Sequence, residues 1–210
     1  MSYIKDQLNH TLKSFNIDLG EENYSGKVRE NYYLNDKIVM VTTDRVSAFD
    51  HILGTIPFKG EVLTQIAKFW FKRTRNIAPN HYLENPDPQV LLTLRAKPLP
   101  IEIIIRGYIT GSLWRDYTNG IDDQYGFKIP SGMKKNQKFK KPIITPTTKA
   151  EYGQHDEAIS KDEIISGLVD KNIYEKAEEY SLELFSEGQK WASKRGLILV
   201  DTKYEFGMIG

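Results

Sequence analysis

Hydrophobic positions recur along the chain with two different spacings, and these spacings predict the secondary structure. Spacings of three and four residues are typical of amphipathic helices. They predict helices over residues 3–16, 61–75 and 172–195. The segment 160–163, Ser-Lys-Asp-Glu, has the pattern of a capping box. It predicts that another helix begins at Ile164.

Alternating or continuous apolar runs predict the strands. After Gly26 every second residue is mostly apolar as far as the turn-forming pair 35–36, Asn-Asp, and an apolar run follows at residues 38–41. This pattern predicts a β-hairpin that is entered through a glycine. Further strands are predicted over residues 90–95, 101–106 and 197–206.

The order of these elements favours one fold class. Strands are concentrated early and helices late, which favours an α+β fold over regular βαβ alternation. A polar, turn-rich stretch covers residues 118–160, and its lysine cluster at 134–141 is predicted to be a mobile surface loop. Only one aromatic residue, Phe139, lies among these lysines, so nucleic-acid binding is not expected there.

Composition narrows the class of protein. A length of 210 residues predicts one or two domains. The absence of cysteine excludes disulfide scaffolds, thiolate metal sites and cysteine nucleophiles. With 29 basic and 28 acidic residues, no global field attracts nucleic acid or an acidic membrane. Charges in the first twenty residues argue against a signal peptide, and we expect no membrane span and a cytoplasmic location.

The most informative polar pattern lies in the last predicted strand. A period of two places Asp201, Lys203 and Glu205 on one face. Carboxylates are the ligands that Mg²⁺ prefers, and a lysine between them would offset developing negative charge. The alternative is a solvated strand face with cross-strand ion pairs, and both interpretations stay open.

A second pattern follows the predicted strand at 101–106. An apolar run leads to Arg106, and two glycines and Ser112 precede a probable helix start. An arginine, a hydroxyl and helix N-terminal amides together suit a phosphate or carboxylate. A simple strand–turn–helix connection with a capping serine explains the same residues equally well.

Three weaker patterns also have two interpretations each. Gly26–Lys27 suits a phosphate-binding backbone or an ordinary hairpin start, and it is not a Walker A loop. Residues 42–50 suit a substrate-binding loop or a turn rich in Asp and Ser. Residues 145–157 suit a binding loop or a solvated excursion.

Taken in order, these segments resemble one family, the SAICAR synthetases (phosphoribosylaminoimidazole-succinocarboxamide synthases). Residues 99–112 resemble the first signature of the family and residues 199–207 the second. Residues 26–29, 44–50 and 149–156 also match its pattern. The similarity extends from about residue 20 to the last residue.

The resemblance implies an ATP-dependent ligase of purine biosynthesis that joins L-aspartate to the carboxylate of carboxyaminoimidazole ribonucleotide. It implies an α+β fold of two lobes, which resemble the nucleotide-binding lobes of protein kinases and ATP-grasp enzymes. We expect an ATP-binding lobe over 1–98, with ATP under the 26–34 hairpin, and a substrate and metal lobe over 99–210. The family continues into a strand with an acidic metal ligand and then a phosphate-binding arginine. We therefore expect the second lobe to lack its C-terminal segment.

The resemblance also implies roles for individual residues, with ATP and Mg²⁺ as cofactors. Lys203 and Asp201 are the expected catalytic residues, and Asp201 and Glu205 the expected metal ligands. ATP contacts are expected from Gly26, Lys27, Arg29 and Glu102. Substrate contacts are expected from Asp44, Ser47, Asp50, Arg106, Ser112, Lys149 and Asp156, with Arg106 and Ser112 at the ribonucleotide 5′-phosphate.

Two other functions compete with the ligase. A kinase-like phosphotransferase on the same fold would release ADP without aspartate. A non-catalytic nucleotide-binding module would bind ATP without turnover. An RNA-binding module is disfavoured by the neutral charge. The expected partners are small molecules, without nucleic acid or membrane, and self-association stays open.

Overall fold

The structure is a computed structural model that describes residues 5–19, 23–48, 51–149 and 156–210. Its contacts divide the chain into two compact units, residues 1–96 with 209–210 and residues 97–208. All strand pairs among the described residues are antiparallel. Helices accompany the strands in both units, as the predicted α+β class requires.

The first unit contains a short 3₁₀ turn, strands β1–β7 and helix α1. Their bounds are Gln7–Asn9 for the 3₁₀ turn, β1 Asn23–Ser25, β2 Arg29–Leu34, β3 Lys37–Thr42, β4 Arg45–Ala48, β5 His51–Thr55, α1 Lys59–Thr74, β6 Tyr82–Asp87 and β7 Val90–Leu94. Five of these strands form one sheet in the order β1-β2-β3-β7-β6, and β4 pairs with β5.

The second unit contains strands β8–β13 and helices α2 and α3. Their bounds are β8 Lys97–Pro98, β9 Ile101–Tyr108, α2 Gly111–Thr118, β10 Lys138–Ile144, β11 Thr147–Thr148, α3 Lys171–Ser193, β12 Asp201–Tyr204 and β13 Gly207–Met208. A single helical turn, Lys161–Glu163, continues as a π-helix over Ile164–Leu168.

The predicted hairpin in the first unit is confirmed as β2 and β3. Asn35 lies in its turn with a φ of 47°, a left-handed conformation that asparagine tolerates well. On β2, Glu30 and Tyr32 are buried on one face while Arg29 is exposed. The alternation read from the sequence therefore gives the correct inner face of this strand.

Strand β9 is the centre of the second unit. It pairs with β10, β11 and β12. One face carries Ile101, Ile103 and Ile105, each at most 1% exposed, and these pack in one core with Tyr174 and Phe185 of α3. Burial of one such side chain contributes about 1.5–3 kcal/mol. Helix α3 thus covers one face of β9 and leaves the other face for polar residues.

The helix predicted over residues 172–195 is confirmed as α3, whereas the helix predicted to begin at Ile164 begins at Lys161. The Asp170 carboxylate accepts hydrogen bonds from the backbone N–H groups of Asn172 and Ile173, which begins α3 close to the predicted position. The capping box is present between Ser160 and Glu163. Its hydrogen bonds from the Ser160 side chain and backbone lower the pKa of the Glu163 carboxyl. Only one α-helical turn follows before the chain adopts the π-helix.

The helix predicted over residues 3–16 is wrong for residues 10–16. The backbone of Leu12 instead bonds twice to Asp44: its N–H donates to the carboxylate at 2.8 Å, and its carbonyl accepts from the Asp44 N–H at 2.9 Å. The Phe15 carbonyl accepts from the Tyr32 hydroxyl at 2.7 Å. These tertiary hydrogen bonds use backbone groups that a helix would pair internally, so the apolar spacing was misleading.

The mobile loop predicted for the lysine cluster at 134–141 is also wrong from residue 138 onwards, because β10 runs over Lys138–Ile144. Phe139 is 6% exposed and belongs to a second core with Ile109 and Leu113. Lysines flank it on a strand at the end of the sheet path, where charge discourages pairing with another chain. The strand predicted over 197–206 is shorter than expected, since only Asp201–Tyr204 is a strand.

We predict that Gly60→Ala destabilises the first unit. A Cβ at this position would lie 2.2 Å from the Thr42 carbonyl oxygen and 2.3 Å from the Gln89 side-chain nitrogen. Because a backbone atom blocks the space, the free energy of unfolding should fall by about 2 kcal/mol or more, as measured by urea unfolding.

The matched control is Gly54→Ala. Gly54 lies on β5 with no atom within 4 Å of the added Cβ, so its free energy of unfolding should change by less than about 0.5 kcal/mol. Equal stability of the two variants would contradict the close approach at Gly60.

Candidate active site

The two segments that carried the strongest sequence patterns are neighbouring strands. In the register of β9 and β12, Asp201 lies opposite Arg106 and Lys203 opposite Ile104. Successive residues on a strand face opposite sides, so Glu102 and Arg106 share a face with Asp201 and Lys203. This is the face opposite the isoleucine core. The structure therefore brings these four polar residues together on one side of the sheet.

Arg106 is the buried cation of this face, and hydrogen bonds hold its guanidinium in place. It is 7% exposed, and its Nε donates to the Thr145 hydroxyl at 2.9 Å. Its Nη2 donates to the Ser112 hydroxyl at 3.3 Å, and its Nη1 lies 3.8 Å from an Asp201 carboxylate oxygen. The buried Thr145 contact orients the guanidinium plane, which directs the other nitrogens towards Ser112 and Asp201. A planar cation held in this way suits a phosphate or carboxylate.

Ser112 belongs to the first turn of α2. The N-cap residue of that helix, Thr110, makes no side-chain capping hydrogen bond, and Gly111 has a φ of 59° that glycine adopts without strain. N–H groups at a helix start carry partial positive charge. Arg106, the Ser112 hydroxyl and the start of α2 are therefore complementary to an anion.

Lys203 is held between two carboxylates. Its ammonium makes an ion pair with Glu102, which is buried, and lies 3.6 Å from an Asp156 carboxylate oxygen. Partial burial alone lowers the pKa of Lys203, but the hydrogen bond from the ammonium to Glu102 and the charges of Glu102, Asp156 and Glu205 outweigh it and raise the pKa. Lys203 is therefore a cation at neutral pH.

The remaining predicted residues of this unit form a more exposed pair. The Lys149 ammonium contacts the Glu205 carboxylate, and the two side chains are 37% and 50% exposed. Thr147 donates to Glu102 at 3.5 Å from the neighbouring strand β11. The pair thus lies at the solvent-facing end of the polar face, and an exposed pair of this kind contributes little to stability.

A metal ion needs a cluster of oxygen or nitrogen ligands. Over 5–19, 23–48, 51–149 and 156–210, no group of three or more His, Asp or Glu side chains could hold one. Asp201 and Glu205 are four positions apart, so their Cα atoms are separated by about 13 Å in an extended chain. At that separation the two carboxylates do not converge on one ion, so each would act with phosphates and water and not with the other. Mg²⁺ usually takes one or two carboxylates in this way, and the roles of Asp201 and Glu205 as metal ligands stay predictions.

In the first unit, the predicted nucleotide-binding residues surround the entry to the hairpin. The Gly26 N–H donates to the Arg29 carbonyl at 2.8 Å, which closes a tight turn. The side chains of Lys27 and Arg29 are exposed beside this turn. A tight turn with two exposed cations is compatible with phosphate binding, and it is equally an ordinary start to β2.

Asp44 is buried and hydrogen-bonded to the backbone of the first unit. Asp44 is 3% exposed, and its carboxylate accepts the N–H groups of Leu12 and Gly60 at 2.8 and 2.9 Å. Ser47 is half-buried on β4. Asp50 lies outside the described residues. The contacts of Asp44 are long-range and give its carboxylate a structural role, and direct substrate contact by Asp44 and Ser47 stays a prediction.

Sequence reasoning missed two residues that organise these clusters. Thr145 is fully buried and accepts a hydrogen bond from Arg106, whereas the sequence predicts either a binding loop or a solvated excursion for its segment. Arg45 was part of the polar segment 42–50 but received no role, although it is buried and contacts Glu30. In both cases the sequence shows a polar residue close to an apolar strand. This pattern does not reveal that Thr145 contacts Arg106 or that Arg45 contacts Glu30.

Similarity to known proteins identifies the fold and the family. The structure matches that of the SAICAR synthase from Saccharomyces cerevisiae complexed with SAICAR, with a TM-score of 0.83 and 33% identity over 94% of this chain and 72% of that chain. The fold is therefore that of a biosynthetic synthase. The sequence model of SAICAR synthetase matches residues 22–210, and the chain belongs to the SAICAR synthetase family.

Two further relatives give the extent of the similarity. The phosphoribosylaminoimidazole-succinocarboxamide synthase of Bacteroides fragilis is 51% identical over 200 residues, which cover 94% of this chain and 64% of the relative. The chain thus spans less than two thirds of that relative. A type-2 SAICAR synthetase structure in complex with ADP has a TM-score of 0.72 at 24% identity, covers 89% of this chain and 75% of its own, and shows the fold alone.

No helix in the described parts of the chain has both the length and the apolar character needed to cross a membrane.

We predict that Lys203→Met destabilises the second unit more than Lys149→Met does. Loss of Lys203 leaves the buried Glu102 carboxylate without its cation, while loss of Lys149 leaves an exposed Glu205 that water can solvate. Because Lys203 is itself about half exposed, solvent screening limits the expected loss to about 1–3 kcal/mol. The control should lose less than about 1 kcal/mol in urea unfolding at pH 8.

The pH dependence of this difference has a definite sign. The pKa of Lys203 is raised above its ordinary value of 10.5, so its contribution to stability is complete below about pH 10.5 and is lost as the pH rises through the folded pKa. Burial raises the pKa of the adjacent Tyr204 to about 12, so this phenol is still mostly neutral near pH 11. Repeating the comparison near pH 11 should shrink the difference between the wild type and Lys203→Met, and an unchanged difference would contradict the ion pair.

Proposed function

We propose that the protein is an ATP-dependent ligase that joins L-aspartate to the carboxylate of 5-amino-1-(5-phospho-D-ribosyl)imidazole-4-carboxylate. The products are SAICAR, ADP and phosphate, in de novo purine biosynthesis. Family membership and the names of the Bacteroides and Saccharomyces relatives support the reaction. The observation that carries the proposal is the pairing of β9 with β12, which places Arg106 and Lys203 on one polar face.

Arg106 and Ser112 would bind the 5′-phosphate of the ribonucleotide. The guanidinium is held from behind by Thr145, so the phosphate meets donors that are already oriented. Preorganised donors avoid the cost of ordering a flexible cation when the substrate binds. The uncapped start of α2 would add backbone N–H groups to the same phosphate.

Lys203 would stabilise negative charge during activation of the substrate carboxylate. A carboxylate oxygen attacks the γ-phosphorus of ATP, the bond to the β-phosphate oxygen breaks, and ADP leaves. The aspartate amine then attacks the acyl carbon, phosphate leaves with the electron pair of the C–O bond, and the amine proton passes to solvent. Because the pKa of Lys203 is raised, Lys203 acts through its charge and not as a base.

Glu102 and Asp156 would position Lys203 for this step. Both carboxylates contact the ammonium from protein positions that are fixed by strand β9 and by the segment after residue 155. This contact gives Glu102 a second proposed role beside the expected one near the adenine. Lys149, which contacts Glu205, would orient the substrate from the exposed end of the same face.

ATP would be bound by Gly26, Lys27 and Arg29 through its phosphates, with Mg²⁺ as the cofactor. Asp201 and Glu205 are the proposed carboxylate ligands, and each would act together with phosphate oxygens and not with the other. When bound, Mg²⁺ neutralises phosphate charge that the protein cations leave unbalanced. The proposal also keeps small molecules as the partners and the cytoplasm as the location.

The reaction is tested with ATP, the ribonucleotide and L-aspartate. A ligase releases one ADP for each SAICAR formed, and it accumulates product only when aspartate is present. Release of ADP that depends on the ribonucleotide but continues undiminished without aspartate would identify a kinase-like phosphotransferase. Tight ATP binding with no turnover would identify a binding module.

We predict that Lys203→Ala lowers kcat by about 100-fold or more, because a positioned charge that stabilises a transition state is typically worth that much. Aspartate-dependent ADP release is the measurement. Lys176→Ala is the matched control, since Lys176 pairs with Glu179 on the exposed surface of α3 and should leave kcat unchanged. If Lys203→Ala keeps its fold and turns over within a few-fold of wild type, the central role of β12 is wrong.

We predict that Arg106→Lys raises the KM for the ribonucleotide by about 10- to 100-fold. A lysine keeps the charge but cannot donate to Thr145 and to a phosphate in one plane. A loss of about 1.5–3 kcal/mol is expected when a charge-assisted hydrogen bond is removed. The exposed Arg195→Lys is the control, and the KM for ATP should stay constant in both variants.

A further inference from the structure

Arg45 occupies an unusual position below the hairpin entry of the first unit. It is 8% exposed and follows the buried residues Thr43 and Asp44 at the start of β4. Its guanidinium is not directed to solvent. The Nε donates to the Lys27 carbonyl at 2.9 Å, and the Nη2 donates to the Gly26 carbonyl at 2.7 Å.

Two further acceptors complete the environment of this guanidinium. Its Nη1 donates to the Lys13 carbonyl at 2.9 Å and to the Glu30 carboxylate at 2.5 Å. Glu30 is itself buried on the inner face of β2, so the pair is a buried ion pair. The ion pair alone would need one or two of the donors. The other donors are used on backbone carbonyls, and two of these belong to consecutive residues.

Bonding two consecutive carbonyls has a geometric consequence. A trans peptide directs its C=O and N–H groups to opposite sides of its plane, and no peptide bond among the described residues is cis. When Arg45 holds the carbonyls of Gly26 and Lys27, the N–H groups of Lys27 and Val28 point away from it. Successive backbone N–H groups with one orientation make an anion-binding concavity.

We infer that Arg45 is a positioning residue for polyphosphate binding, because it fixes the peptides of residues 26–28 with their N–H groups outward. This inference rests on the proposed function, in which Gly26 and Lys27 bind the phosphates of ATP. Arg45 does not touch the nucleotide. It acts through the backbone that does, and Glu30 neutralises its charge inside the unit.

The first test is Arg45→Lys, which keeps the charge for Glu30 but lacks the fork that reaches both carbonyls. The dissociation constant for ATP should rise about tenfold or more, while the KM values for aspartate and the ribonucleotide change less than twofold. Amide hydrogen exchange of residues 24–29 should become faster in the absence of any ligand. Glu30→Gln, which keeps an acceptor for Nη1, should change ATP binding less than Arg45→Lys does.

A second pair of variants separates positioning from stability. Arg45→Met leaves Glu30 buried without a cation and should lower the melting temperature. Arg45→Met combined with Glu30→Met replaces the whole ion pair with apolar side chains, a change that is often neutral for stability. The double variant should recover the part of the melting temperature that the unpaired Glu30 carboxylate costs, but not the ATP affinity, because the carbonyls of Gly26 and Lys27 still lack their donors.

The outcomes are distinct. Recovery of ATP affinity together with the melting temperature in the double variant would show that Arg45 matters only for stability, and it would overturn the inference. So would unchanged ATP binding and unchanged exchange in Arg45→Lys. Failure of the proposed function would appear differently, as an absence of ATP binding in the wild type itself.

Discussion

The antiparallel pairing of β9 with β12 is the constraint on which the second unit depends. It joins segments that are almost a hundred residues apart, with Asp201 opposite Arg106. One face of β9 is an isoleucine core under α3, and the other carries the charged residues of the candidate site. A slip of β12 by one residue would turn Asp201 and Lys203 towards the isoleucine core. The core therefore fixes the register, and the register fixes the site.

Charge balance explains why this polar face is stable next to a core. The buried Glu102 has Lys203, and the buried Arg106 has Thr145 with Asp201 nearby. A buried charge without a partner is costly, so these contacts contribute to the stability of the unit. Lys149 and Glu205, at the outer end of this face, are exposed and accessible to a small molecule.

Local patterns in the sequence predicted local structure well, and long-range partners were not predictable. The hairpin turn at Asn35 and the capping box at Ser160 follow from neighbouring residues, and both are present. The failure at residues 10–16 has a different cause, since Leu12 bonds to Asp44 and the apolar spacing contains no sign of it. Similarly, the alternation on the last strand placed Lys203 on the correct face, but its partner Glu102 is 101 residues away and came from the fold alone.

Two buried arginines show how the fold separates support from binding. The guanidinium of Arg45 makes four hydrogen bonds to protein acceptors, so nearly all of its five N–H donors are used internally. Arg106 makes two hydrogen bonds among the described residues, and its closest carboxylate oxygen, on Asp201, is 3.8 Å away. The two arginines are almost equally buried, but they differ in the number of N–H donors that remain unused. Arg45 has its donors committed to three backbone carbonyls and Glu30, whereas Arg106 retains donors for an anion. This difference supports the proposed positioning role for Arg45 and the proposed substrate contact for Arg106.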